Sequence, residues 1–142
     1  MQAEKSIALI GAGKIGMGYV ADVFDDEGYH IVFIGRTPNK IEQMVQQGYY
    51  TIHMTFPDGH SELKRMEGYE AYSYMTEWDT CVKRLSEIDL VSVQIYPNGA
   101  KEAAEMLAQA IKLRVKNGRK NPLNIMFCVN FVFPSRIFYD IM

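Results

Sequence analysis

Gly11-Ala12-Gly13-Lys14-Ile15-Gly16 stands directly after the apolar run Ser6-Ile7-Ala8-Leu9-Ile10 and ahead of a segment with helical spacing. Few folds accept that order. The first glycine lets the chain turn sharply out of a strand, the second lets the backbone approach a diphosphate, and the third lets helix and strand pack closely. The helix that follows directs its unpaired N–H groups and the positive end of its dipole at the phosphates. Gly11, Ala12, Gly13, Lys14, Ile15 and Gly16 are therefore read as a dinucleotide-phosphate cradle. A glycine-rich turn that binds nothing is the alternative, and the strand–loop–helix setting argues against it. Ile15, Tyr19, Val20, Val23 and Phe24 recur at three- and four-residue steps, which places them on one apolar face, and Gly28 is expected to end the helix.

A chain of 142 residues, 48% of them hydrophobic and 23% charged, suffices for one domain with its own core and is too short for two of ordinary size. A net charge of −2 gives no general attraction to nucleic acid or an anionic membrane. No run of about 18 uninterrupted apolar residues marks a membrane span. Met1-Gln2-Ala3-Glu4-Lys5 leads straight into the first strand without the apolar region of a secretory signal, so a cytoplasmic location is expected. Cys81 and Cys128 fall in patterns of a helix and a buried strand, apart from any histidine cluster. Free buried thiols are expected there, not a metal site.

Continuous apolar runs at 6–10, 31–34, 90–95 and 123–128 read as parallel strands of a sheet covered on both faces. Helical patterns separate them. Thr37-Pro38 offers an N-cap with proline at the first helical position, Ile41, Met44 and Val45 supply the face, and Gly48 stops it. Thr76 and Asp79 resemble a capping box ahead of a stripe of Trp78, Cys81, Val82, Leu85 and Ile88. Between Gly99 and Lys116, Ala100, Ala104, Leu107, Ile111 and Val115 share one side, with Gly118 as the expected C-cap. The basic residues Lys112, Arg114, Lys116, Arg119 and Lys120 read as a solvated face that complements the helix dipole.

One stretch breaks the alternation of strand and helix. Tyr50, Ile52, Met54 and Phe56 alternate with Thr51, His53 and Thr55, Pro57-Asp58-Gly59 signals a turn, and 63–66 and 69–74 look like further strands. Together they predict an antiparallel excursion around residues 50–75. The expected fold class is α/β, a Rossmann-type doubly wound, mostly parallel sheet that carries this excursion.

About twenty positions beyond the glycine motif, such a fold places either an acid that accepts from the ribose 2′-hydroxyl or an arginine that holds a 2′-phosphate. Here the slot reads Gly35-Arg36-Thr37. No carboxylate repels a phosphate, Arg36 can pair with it, and Thr37 and the next helix's first N–H groups can add hydrogen bonds. NADP is the expected cofactor and NAD the alternative; Arg36 as an ordinary loop residue and Thr37 as a plain cap stay open. Ile95-Tyr96-Pro97-Asn98 ends the third core strand on the edge where open α/β sheets bind ligands, which makes Tyr96 and Pro97 candidates for the cofactor's path. Asn130, at the matching end of the last strand, either bonds cofactor or substrate or turns its loop. His30, His53 and His60 are assigned no catalytic role.

Gly11-Ala12-Gly13-Lys14-Ile15-Gly16-Met17-Gly18, Asp89-Leu90-Val91 with Pro97, and Pro122-Leu123-Asn124-Ile125 running into Cys128-Val129-Asn130 together resemble the N-terminal domain of the mannitol dehydrogenase family, nearest its mannitol-1-phosphate 5-dehydrogenase branch. The resemblance covers nearly the whole chain. It implies that residues 1–142 are the NAD(P)-binding domain of an oxidoreductase that interconverts a sugar alcohol, or its phosphate, with a ketose by hydride transfer. It also implies a second, helical domain that supplies the catalytic lysine and most contacts to the polyol or polyol phosphate. That domain is absent from these residues, so the chain is expected to be a fragment or shortened relative without a catalytic residue of its own. The family carries Asn and Arg at Lys14 and Met17, an acid at Gly35, Gly at Tyr96 and Glu at Val129. The change at Gly35 agrees with the preference for NADP argued from charge. A free-standing dinucleotide-sensing module without catalysis is one alternative. A β-hydroxyacid-type reductase domain is another, against which the antiparallel insertion and the Cys-x-Asn ending argue.

Overall fold

A computed structural model describes residues 5–142; the leaderless start read at Met1-Gln2-Ala3-Glu4 lies outside the described residues. β1 (Ser6–Ile10), β2 (His30–Gly35), β5 (Glu70–Ser73), β6 (Leu90–Val93) and β7 (Asn124–Phe127) form one sheet in the order β5-β2-β1-β6-β7, with every neighbouring pair parallel. Alternate residues of its apolar runs feed two cores. Ala8, Ile10, Val32 and Ile34 meet α3 (Trp78–Glu87) and α4 (Ala100–Lys116), together with Phe138 of α5 (Pro134–Ile141). Ile7, Leu9, Ile31 and Phe33 meet a π-helical turn (Gly16–Val20), α1 (Ala21–Asp26), α2 (Pro38–Gln47) and a hairpin of β3 (Tyr49–Thr55) and β4 (Ser61–Glu67). No helix among the described residues is long and apolar enough to cross a membrane.

The α/β class, the parallel sheet and the antiparallel insertion are all present, with one strand reassigned. The hairpin is antiparallel, but Glu70–Ser73, expected within the excursion, lies parallel to β2 with Val32 opposite Glu70 and Gly35 opposite Ser73. Gly68, at φ 76°, lets the chain leave β4 and reach the free edge of β2, whose unpaired backbone groups need a neighbour.

Three helix faces also differ from expectation. Ile15, Tyr19 and Val23 are 57%, 67% and 44% exposed, while Gly16, Val20 and Ala21 face the core. A Cβ on Gly16 would lie 2.3 Å from Gly11 O; only glycine fits against the turn that follows β1, and this sets the rotation of the whole helix. Tyr50 from the hairpin donates to Met17 O in the π turn at 2.7 Å. In α2, Ile41 and Met44 are buried but Val45 is exposed. In α4, Val115 is exposed and Arg114, expected in the solvated face, is 3% exposed. Its guanidinium bridges the end of α3 and the start of β6, donating to Ser86 O (3.1 Å), Ile88 O (2.7 Å), Asp89 Oδ1 (2.9 Å) and Asn121 O (2.5 Å). Gly118 ends α4 at φ 74°, with Arg119 N–H bonded back to Arg114 O at 2.9 Å. The cap of α3 is Glu77, not Thr76, because Thr76 is consumed in the turn that bonds its own N–H and that of Glu77 to Ser73 O. Cys81 is buried and Cys128 half-buried, and neither is in a disulfide.

At the amino-terminal edge of the sheet, Glu70 accepts from Arg84 Nη2 (2.7 Å) and Nε (3.0 Å) and from Tyr72 (2.7 Å), and stands 2.5 Å from His30 Nε2. The Arg84 guanidinium, against the cost of burial and with help from Tyr72 and His30, holds the Glu70 carboxyl down at about 2 from 4.5. A depressed folded-state value gives stability that is present above the unfolded value and lost as pH falls. Acid titration of stability by urea melts is expected to show a decline between pH 4.5 and 2 that Glu70→Gln flattens; an unchanged slope in that variant would contradict the network's role.

Candidate functional site

The chain runs outward from β1 to β2 in one direction and to β6 in the other, so a crevice opens where their carboxyl ends diverge. A cavity of about 340 Å³ occupies it. Its floor is Gly11, Ala12 and Gly13 after β1; Gly35, Arg36 and Thr37 follow β2; Lys40 and Ile41 come from α2 and Tyr74 from the end of β5; Gln94, Ile95, Tyr96, Asn98 and Gly99 close the β6 side.

The three glycines of the loop answer to different demands. Gly11 has φ 117°, and a Cβ there would lie 2.1 Å from Gln94 O; it makes the turn. Gly16 permits the helix to lie against that turn. Gly13 meets nothing within 4 Å of a built Cβ, so the chain's own packing does not require it to be bare, and a side chain there would stand in the open crevice. Met17 N–H is the first of the turn to close onto a carbonyl, Gly13 O at 2.9 Å. The N–H groups of Lys14, Ile15 and Gly16 before it have no acceptor within the helix.

Of the residues expected in the site, Gly11, Ala12, Gly13, Gly35, Arg36, Thr37 and Tyr96 come together in the crevice walls, whereas Lys14, Ile15, Gly16, Pro97 and Asn130 do not. Lys14 and Ile15 sit on the solvent side of the first helical turn. Pro97 opens a short 3₁₀ turn, Pro97–Gly99, that feeds α4. Asn130 is exposed beyond β7, two strands away from β1. Thr37 occupies the N-cap position of α2 yet makes no side-chain capping bond, which leaves its hydroxyl uncommitted. Tyr96 is 82% exposed at the mouth.

Among the wall residues that sequence reasoning missed, Lys40, Tyr74 and Gln94 bring polar groups. Lys40 donates across the crevice to Ala12 O. A cation in the first turn of a helix works against the dipole, and that misplaced charge, four residues after Arg36, is the signal that could have found it. Burial, then the Glu102 carboxylate, push the Tyr74 hydroxyl up, with Arg36 opposing. Polar Ser92 and Gln94 within an apolar strand were the corresponding clue on β6.

Residues 5–142 match the mannitol dehydrogenase Rossmann domain. A mannitol-1-phosphate 5-dehydrogenase of Enterococcus faecalis is 31% identical over 122 residues, covering 86% of this chain and 31% of that protein. One from Alternaria alternata is 30% identical over 132 residues, 93% of this chain and 33% of the relative. The chain thus spans about a third of the length of these relatives. A crystal structure named for 2-dehydropantoate 2-reductase, also from Enterococcus faecalis, superposes with a TM-score of 0.61 at 12% identity over 95% of this chain and 37% of the other, a likeness of fold alone. Since the family match runs through every strand of the sheet and both walls of the crevice, the chain belongs to the mannitol dehydrogenase family and is built as its Rossmann domain.

Proposed function

We propose that this domain binds NADP in preference to NAD, for an oxidoreductase that passes a hydride between a polyol, or its phosphate, and the matching ketose. The crevice's charge carries the cofactor part. Arg36 and Lys40 line its β2 side, and none of the described lining residues is Asp or Glu. A ribose 2′-phosphate gives both cations a counter-charge and can accept from the Thr37 hydroxyl and the first N–H groups of α2. A bare ribose diol offers neither cation a charge. A Cβ at position 35 would lie 2.9 Å from Ile41 Cδ1 and 3.3 Å from Ala12 Cβ, so the acid that an NAD site uses would require the end of the Ile41 side chain to shift.

The bound dinucleotide supplies the hydride acceptor or donor. The chain's part is to hold it: Gly13 leaves room for the diphosphate, the unpaired N–H groups at the start of the first helix complement its charge, and Arg36 with Lys40 holds the adenosine end. The polyol reading comes from the relatives' names, and we place the substrate site in the two thirds of their length that this chain does not span. The thiols of Cys81 and Cys128, both outside any disulfide, suit a reducing cytoplasm.

Arg36→Ala is expected to weaken NADPH binding by about 1.5–3 kcal/mol, the range for hydrogen bonds to charged groups, and to leave NADH nearly unchanged. Isothermal titration of both cofactors against both proteins checks this. Equal losses for the two cofactors would remove Arg36 from phosphate recognition.

A further inference from the structure

Gln94, just beyond β6, is 8% exposed, and its side chain is held at both ends. Its amide nitrogen donates to Ile10 O and to Gly11 O, each at 3.1 Å. Carbonyls can only accept, so the amide has one possible orientation. The fully buried Ser92 secures the other end by donating to Gln94 Oε1 at 2.8 Å.

Gly11 is the hinge of the glycine loop, and its backbone freedom is a hazard for anion binding. Rotation of the Gly11–Ala12 peptide would swing Gly11 O out toward the crevice, where its partial negative charge would oppose a phosphate. Held inward by Gln94, the same planar trans peptide keeps the Ala12 N–H on the opposite side. The next carbonyl, Ala12 O, is covered by Lys40. Both loop oxygens nearest the anion's path therefore carry a donor from outside the loop.

We propose that Gln94 is a positioning residue for diphosphate recognition: it fixes the Gly11–Ala12 peptide so that the loop presents N–H groups, not a carbonyl, to the bridging phosphates. This rests on the dinucleotide reading above. The side-chain hydrogen bonds of Gln94 run to the loop and to Ser92 and it carries no charge, so its contribution separates from that of the cations Arg36 and Lys40.

The test is isothermal titration of the 142-residue chain and of Gln94→Met with NADP⁺ and with adenosine 2′-monophosphate, which lacks the diphosphate. Gln94→Met is expected to weaken NADP⁺ about tenfold, as loss of about one hydrogen bond's worth of organisation requires, and to leave adenosine 2′-monophosphate within about twofold. Ser92→Ala keeps the donor but frees its anchor, and is expected to give a smaller loss with the same selectivity; it carries the test if Gln94→Met fails to fold by circular dichroism. NADP⁺ affinity unchanged in the variant, or an equal loss for both ligands, would overturn the positioning role while leaving the dinucleotide reading intact. A wild-type chain that binds neither ligand would overturn both.

Discussion

Gly11→Ala is expected to destabilise the domain by roughly 2–6 kcal/mol, with backbone strain and steric overlap each contributing about 1–3. An alanine at φ 117° is strained whatever surrounds it, and its Cβ would stand 2.1 Å from Gln94 O. Relieving that overlap moves the Gln94 backbone, whose N–H holds Ile10 O at 3.0 Å, and so loosens β6 from β1. Gly13→Ala, two residues on, meets no atom within 4 Å and is expected to change stability by less than about 0.5 kcal/mol while narrowing the crevice. Urea unfolding of the two variants beside the wild type separates a glycine that the fold requires from one that it does not. A Gly11→Ala protein as stable as the wild type would contradict the turn described here.

Arg114→Ala is expected to cost at least about 3 kcal/mol, because it strands three carbonyl acceptors at about 1–3 kcal/mol each. The substitution leaves the carbonyls of Ser86, Ile88 and Asn121 without the guanidinium they share and opens a space between α3 and α4. Asp89 keeps Arg119, which donates to its Oδ1 at 2.8 and 3.0 Å, so the loss falls on the carbonyls and the packing. Lysine is a poor replacement, since one ammonium cannot reproduce the planar fork that serves four acceptors. Arg119→Ala, at the surface, is expected to cost less than about 1 kcal/mol. Urea melts check both, and an Arg114→Ala loss below about 1 kcal/mol would show that the buried network adds little.

Local signals were legible and non-local ones were not. The strand, glycine loop and helix at the N-terminus are encoded in contiguous residues, as are the Thr37-Pro38 helix start and the alternation that makes the β3–β4 hairpin. The alternation in Tyr69 to Tyr74 marks a strand but not its partner, and β5 went to β2 because that edge was free. The buried side of the first helix could not be read from apolar spacing, since Gly16, the residue pressed on the Gly11 turn, contributes no apolar side chain. Arg114 reads as a surface charge until the carbonyls of Ser86 and Ile88, 28 and 26 residues back, and of Asn121 converge on it. Lys40 and Gln94 become site residues only through bonds to Ala12 and Gly11, 28 and 83 residues away in sequence. Of the crevice walls, Gly11, Gly13, Gly35 and Arg36 were legible from motif and position, whereas Asn130 was assigned by analogy of strand ends and lies outside the crevice, because β7 is at the far edge of the sheet.

The most direct test of the account is a side-by-side titration of the 142-residue chain with NADPH and NADH. NADPH is expected to bind at least about tenfold more tightly, a difference of roughly 1.4 kcal/mol, if its 2′-phosphate pairs with Arg36 and Lys40 as proposed. Equal affinities, tighter binding of NADH, or no binding of either would contradict it.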